Sequence, residues 1–524
     1  MRPSTEAQAP VAGSSTSRKR LAERAILVLL LGCFVFFLSR TVADADLWGH
    51  VRFGGDLFET GDLRRADPYS YLSGERPWIN HEWLAEAAFY AAWAAAAGTG
   101  LVLLKMVVGL ATVGLLFTHL QRRGFSAIRA GILLLLAYPL ISIGLRTVRP
   151  QMFTYLSFLL VLLALEAADR GHWRRLWMLP AVFLLWVNLH GGFLAGLGIL
   201  VVWAAAVSIS RWSGRGDPGW PPPGAVLLGA VSLCFLATLA NPWGVGLWHL
   251  LLTTATIPRP EITEWVPTPL LTFEGGVYMI LLGLSAGALM RSSPPGLPLA
   301  IVYAVTAVMP LLAVRHLPLF ALAALVIGAA PLSRLFGRRA ADEVRPARPT
   351  RPAPRWFSFA IAGGGVAMAA LSIPYLRGPA IHGQLLPMPA RAVGLLEASG
   401  ARGNMAVHFD WGEYAIWHLA PEIMVSWDGR RETVFGEEAY ATNLAFFFGV
   451  GEWDRLLTEH DTNLALVSRQ TPVYNLLKRT DPWTVVYEDS LAAVFAQVGS
   501  REARRIRATE PPALPITGHD LVFP

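Results

Sequence analysis

The stretch Asp44-Ala45-Asp46-Leu47-Trp48-Gly49-His50 sets two carboxylates two residues apart beside an imidazole. Asp67-Pro68-Tyr69-Ser70-Tyr71 and His81-Glu82-Trp83 follow in the same polar segment. Carboxylates and imidazoles grouped in this way suit a general base with a positioning partner, or oxygen ligands for a divalent cation such as Mg or Mn. Asp44 and Asp46 are therefore candidate catalytic groups and candidate metal ligands. His50, Asp67, His81 and Glu82 are candidate substrate contacts. On spacing alone, a helix cap or a solvated loop is the commoner use of an Asp-x-Asp pair.

A second set is cationic. Arg146-Thr147-Val148-Arg149-Pro150 and Arg315-His316-Leu317-Pro318 both lie at the ends of apolar runs. Arg146 and Arg149 share a face if their segment is helical. A guanidinium fork grips a phosphate at two points, so Arg146, Arg149, Arg315 and His316 are candidates for holding a phosphorylated substrate. A salt bridge to the acidic segment is the alternative use of the same arginines. Asn188-Leu189-His190-Gly191-Gly192 divides two apolar runs, and a buried, hydrogen-bonded role suits His190 ahead of catalysis. Glu264 is a lesser substrate-contact candidate, and Lys105 reads as a snorkelling lysine. No phosphate-binding Gly-Lys-Ser/Thr loop or paired-cysteine metal site is present.

These groups must be positioned by membrane helices. Hydrophobic residues make up 54% of the 524 and charged residues only 15%, well under the roughly 25% usual for soluble domains. The apolar residues come in runs near the length that crosses a hydrocarbon core about 30 Å thick, and in lipid such runs must be helices. About eleven spans are predicted, near 25–42, 99–121, 126–145, 151–169, 176–190, 193–210, 224–241, 276–290, 297–314, 317–333 and 356–374. Residues 82–97 are apolar but short, carry Glu86 and are rich in aromatics, which predicts a helix lying in the interface.

The net charge of +7 would suggest nucleic acid in a soluble protein, but here the arginines report topology instead. Arg18, Lys19, Arg20 and Arg24 precede the first span and put the N-terminal tail, 1–24, in the cytoplasm. Arg122 and Arg123, then Arg170, Arg174 and Arg175, then Arg211 and Arg215, then Arg291, then Arg334 to Arg355 fall in alternate loops, as the positive-inside rule requires. The first outer loop is then 43–98, and the transmembrane core covers 25–333. Residues 334–355 form a cytoplasmic linker rich in Arg and Pro, and 356–374 the last span. The polar tail 375–524 lies outside the cytoplasm as a small α/β domain, with β-prone runs at Met405 to Phe409, Ile423 to Trp427, Leu464 to Val467 and Trp483 to Tyr487. Its Asp410, Glu413, Asp428 and Arg430 show no reason to face a lipid phosphate, and Asp428 with Arg430 reads as a turn fixed by local pairing. Cys33 and Cys234 both fall in apolar runs, so no disulfide framework follows.

A first span ending in acidic residues, a long first outer loop with an interfacial helix, arginines at outer helix ends and an outer C-terminal domain together resemble the GT-C superfamily of polytopic glycosyltransferases. Asp44 to His50, Asp67 to Tyr71, His81-Glu82-Trp83-Leu84, Phe409 to Tyr414 and Trp427-Asp428-Gly429-Arg430 look most like a bacterial branch related to protein O-mannosyltransferases and lipid A aminoarabinose transferases. The resemblance implies a multi-spanning enzyme of the inner (plasma) membrane that moves a sugar from a polyprenyl-phosphate donor to an acceptor outside the cytoplasm. It also implies a catalytic carboxylate at Asp44 or Asp46, and arginines that hold the leaving phosphate. Two other classes remain open: a transporter or flippase of lipid-linked sugars, and a non-catalytic scaffold whose outer domain binds partners. A transporter should line a path at mid-membrane with polar groups, whereas these clusters lie at one edge.

Overall fold

The computed structural model describes residues 12–213, 223–254, 263–291, 296–341, 354–381, 387–512 and 522–524. A helix stands at each of the eleven predicted positions. Seven helices are long and apolar enough to cross a bilayer, and an eighth if Val314–Ile327 and Ala329–Leu335, bent by 59°, form one span. The predicted spans at 176–190, 224–241 and 297–314 are shorter, with helices at Leu179–Leu189, Gly224–Leu239 and Leu297–Leu311. A further apolar helix, Val245–Thr254, had no counterpart in the sequence reading. The middle of the predicted linker 334–355 and Arg215 lie outside the described residues.

Every residue from Leu317 to Ile327 is buried, as expected of a helix that is apolar all round and sits at the centre of a bundle. The last span, Arg355–Ala370, is mostly exposed and packs along the first helix, Ala12–Ser39. Gly32 and Gly365 make that crossing close, since a Cβ on Gly32 would lie 2.0 Å from the Gly365 carbonyl oxygen.

Two amphipathic pieces lie between the first two spans. Leu47–Thr60 is a helix with one apolar face, and it packs against the first half of Trp83–Arg122. That long helix is broken at Ala96 and Ala97, where Ala97 takes φ +48°, so the segment before the break and the helix after it are separate.

The C-terminal domain holds a five-stranded sheet of β1 (Gly403–Val407), β2 (Ile423–Val425), β3 (Thr462–Ser468), β4 (Trp483–Glu488) and β5 (Ala492–Gln497), in the order β2-β1-β3-β5-β4. β1 runs parallel to β2 and β3, whereas β5 runs antiparallel to β3 and β4. Four strands fall on the predicted runs. The edge strand β2 is covered by the first loop: Tyr71 N–H donates to the Val425 carbonyl at 3.3 Å, and Val425 N–H donates to the Tyr69 carbonyl at 2.9 Å. Single bridges join Val42 to Thr147 and Ala380, and Ala380 to Val522. Phe523 packs on Trp48 and Trp417. The domain is therefore fastened to the first loop over a wide area.

Candidate functional site

The ends of five membrane helices, the first-loop helix and the C-terminal domain surround a cavity of about 610 Å³. The basic residue Arg170 lies at the other end of the helix Gln151–Asp169, whose first turn lines this cavity.

Arg149 stands at its centre, in the loop between two spans. Its guanidinium pairs with Asp44 and Asp46, and its NH1 is 3.9 Å from Glu264 Oε2. Burial opposes the charge on Arg149, but the carboxylates of Asp44, Asp46, Glu264 and Glu82 outweigh it and hold the guanidinium protonated. Asp44 is sealed behind this pair and does not line the cavity; burial pushes its carboxyl up to about 6, with Arg149 opposing. Asp46 does line the cavity. It occupies the N-cap position of Leu47–Thr60, yet its side chain makes no cap hydrogen bond.

That cap comes from the C-terminal domain, where Glu413 Oε2 accepts the Gly49 amide hydrogen at 3.1 Å. Glu413 is buried, and burial raises its carboxyl well above the usual carboxylate range, with Asp46 and Asp428 adding to the effect. Two glycines permit the approach. A Cβ on Gly49 would lie 2.1 Å from Glu413 Oε2, and one on Gly429 would lie 2.4 Å from Asp46 Oδ1 and 2.9 Å from Glu413 Oε1.

One wall carries His50, whose Nδ1 is 3.3 Å from Glu86 Oε1, while Asn80 donates to the other Glu86 oxygen at 2.5 Å. Burial works to lower the His50 pKa, but Glu86, Glu82 and Asp46 overcome it and raise it to about 9. Opposite, Arg315 lies 4.4 Å from the Trp265 ring centre, with NH1 3.9 Å from Glu264 Oε1. His316 Nδ1 is bonded to the Met309 carbonyl at 3.0 Å. His190 sits at the break after Leu179–Leu189, with Nε2 3.6 Å from Glu82 Oε1; His81 Nε2 is 3.7 Å from the same oxygen. The break is held by Asn188, which accepts from Trp83 Nε1 and donates to the carbonyls of Leu184 and Ala240.

Of the residues singled out in the sequence, Asp46, His50, His81, Glu82, Arg149, His190, Glu264, Arg315 and His316 converge on the one cavity. Asp67 does not. It accepts from Arg430 NH1 at 2.7 Å and caps the turn at Tyr69 and Ser70. Arg146 points elsewhere and faces Glu274 at 3.3 Å, since the segment around it is not one continuous helix. A metal at Asp44 and Asp46 does not fit this arrangement: Arg149 fills the place a cation would take. Among the described residues, no three His, Cys, Asp or Glu side chains come together as a ligand set.

The tail departs from the sequence reading. Asp428 and Arg430 do pair locally, at 2.6 Å, but Arg430 also reaches Asp67 of the first loop and stacks over Phe53 and Trp78. Glu413, Gly429, Arg430 and Arg431 all line the cavity. The missed carboxylates share a signal: Glu86 in Trp83-Leu84-Ala85-Glu86-Ala87 and Glu413 in Trp411-Gly412-Glu413-Tyr414-Ala415 are single charges inside apolar, aromatic segments, which is costly unless a partner is waiting.

No protein-family model and no curated protein matches the chain. A solved structure does: ArnT from Cupriavidus metallidurans bound to undecaprenyl phosphate, with 16% identity and a TM-score of 0.52, over 94% of this chain and 99% of that one. This chain therefore has the GT-C-like membrane fold of ArnT, a bundle of spanning helices under a small C-terminal sheet domain.

Proposed function

We propose that the protein is a membrane glycosyltransferase that moves a sugar from a polyprenyl-phosphate donor to an acceptor at the outer face of the plasma membrane, with its N-terminus in the cytoplasm and the C-terminal domain outside. The observation that carries this reading is the meeting of Asp46, Arg149 and Arg315 in one cavity, within a fold whose solved counterpart holds undecaprenyl phosphate.

The chemistry follows from those groups. The acceptor oxygen attacks the anomeric carbon, the bond from that carbon to the phosphate oxygen breaks, and the electron pair leaves with polyprenyl phosphate. Asp46, facing the cavity, takes the acceptor's proton. Arg149 and Arg315 stabilise the charge that gathers on the leaving phosphate. To do so Arg149 must exchange part of its carboxylate shell for phosphate oxygens. Glu264, at 3.9 Å from each arginine, is the weakest-held member of that shell and the one a phosphate displaces. Asp44 keeps its grip on the guanidinium from behind and so orients it.

The test is turnover by the purified protein in nanodiscs with a panel of radiolabelled undecaprenyl-phosphate sugars, with and without a membrane extract as acceptor source. Release of undecaprenyl phosphate from at least one donor is expected. Failure to bind undecaprenyl phosphate, together with no turnover of any donor, overturns the proposal.

A further inference from the structure

The hydrogen bonds behind His190 have only one possible direction. Trp186 Nε1–H, which can only donate, donates to Thr154 Oγ at 2.9 Å. Thr154 is buried and lies 2.8 Å from His190 Nδ1, and the Gly192 backbone N–H, also a donor only, points at the same Nδ1 from 2.9 Å. Nδ1 must therefore be an acceptor, and the Thr154 hydroxyl hydrogen is directed to it. The ring proton is left on Nε2, which faces the cavity. Burial, with Arg315 and the neighbouring imidazoles His81 and His50, disfavours a second proton on this ring. His190 is thus a neutral donor whose direction is fixed from behind, and it is not a base.

What the Nε2–H meets is incomplete. Glu82 Oε1 is 3.6 Å from His190 Nε2 and 3.7 Å from His81 Nε2, distances too long for hydrogen bonds. They leave the His190 Nε2–H outside hydrogen-bond range of Glu82 and set a donor and an acceptor side by side on the cavity wall. A hydroxyl fills that place: its oxygen accepts from His190 and its hydrogen goes to the Glu82 carboxylate. Arg149 and Arg315 line the same cavity as His190 and Glu82, so the hydroxyl belongs to a group attached near the phosphate they would hold.

We infer that His190 and Glu82 form a subsite for a hydroxyl of the donor's sugar, with Thr154 as the positioning residue that fixes the His190 proton. The inference rests on the lipid-linked-sugar reading above.

The experiment compares the affinity of nanodisc-embedded protein for undecaprenyl phosphate with that for undecaprenyl-phosphate-linked hexoses. Wild type is expected to prefer a sugar-bearing lipid. Thr154→Val and His190→Asn should reduce that preference by about three- to tenfold, one hydrogen bond's worth, while affinity for undecaprenyl phosphate is retained. Thr154→Ser, which keeps the hydroxyl, and His190→Gln, which keeps an N–H near Nε2, should restore it. A 15N spectrum of histidine-labelled protein reads the tautomer independently of folding yield in the variants, and a His190 proton on Nδ1 overturns the assignment. An undiminished preference in folded Thr154→Val and His190→Asn overturns the subsite. Binding of neither lipid by wild type is a different outcome, because it removes the function reading on which the subsite depends.

Discussion

Glu413 in the C-terminal domain accepts the amide hydrogen of Gly49 in the first loop, 364 residues away along the chain, and so caps the helix whose own N-cap residue is Asp46. Were Asp46 its own helix's cap, its carboxylate would be turned to the backbone amides and away from the cavity. The borrowed cap leaves Asp46 to Arg149.

Asp46→Asn keeps the shape of the side chain and removes its basicity. Turnover should fall by about 100- to 10,000-fold, the usual range for a lost general base, with donor affinity largely kept. Asp44→Asn should differ: Asp44 is behind Arg149, so its loss should loosen the arginine and show mainly as weaker donor binding. Near-normal turnover in folded Asp46→Asn would remove the catalytic assignment.

Arg149→Ala and Arg315→Ala each take away a charge-assisted contact worth about 1.5–3 kcal/mol, or roughly 10- to 150-fold in affinity for undecaprenyl phosphate. Lysine at either position should rescue only in part, because an ammonium lacks the two-point fork. Arg146→Ala, facing Glu274 outside the cavity, should leave that affinity unchanged. Equal losses at 146 and 149 would contradict the geometry.

Gly429→Ala puts a methyl group 2.4 Å from Asp46 Oδ1. The clash should displace the carboxylate by a fraction of an ångström or more and lower turnover by up to about 100-fold, the scale of a 1 Å misplacement. Glu413→Ala strands a buried amide, at about 1–3 kcal/mol, whereas Glu413→Gln still offers an acceptor oxygen and should be much milder. Thermal unfolding in detergent, beside turnover, separates the two effects.

His50 has a folded-state pKa of about 9 against an ordinary 6.5. A raised histidine pKa means that the stabilisation from its pairing with Glu86 is complete below pH 6.5 and is lost as pH climbs through about 9. The wild-type protein should therefore lose up to about 3 kcal/mol across that window. His50→Gln should flatten this part of the profile. Identical pH slopes for the two proteins would rule out the charged pair.

Single cysteines at 60, 402 and 345 test the topology. A membrane-impermeant thiol reagent applied to intact cells should label the first two and spare the third, if 345 is cytoplasmic as proposed from the positive-inside rule. Labelling at 345 would sink the two-sided arrangement.

The fold was legible because lipid imposes a strong pattern: apolar runs of spanning length, punctuated by polar loops, can be read one segment at a time. The length of each run decided less than expected, and helices such as Leu179–Leu189 end early where His190 takes extended backbone and lines the cavity. The cavity was half legible. Asp46, Arg149 and Arg315 stood out because charge at a membrane edge is conspicuous. Asp44 and Asp67 carry the same charge, but what separates them from Asp46 is which way each side chain turns, and that depends on partners as far as 363 residues away. Glu413 and Arg430 were set aside for the same reason. Their local sequence suggests a turn, and only the docking of the sheet domain on the first loop gives them a face on the site.

The pairing of residues 69–71 with β2 bears on any attempt to produce the sheet domain by itself. Cut free of the membrane bundle, β2 would present a row of unanswered amides and carbonyls, the template on which strands from other molecules add. A soluble fragment of residues 387–512 should self-associate through that strand. A synthetic peptide covering 66–74, supplied in trans, should return it to a monomer by taking back the vacant place.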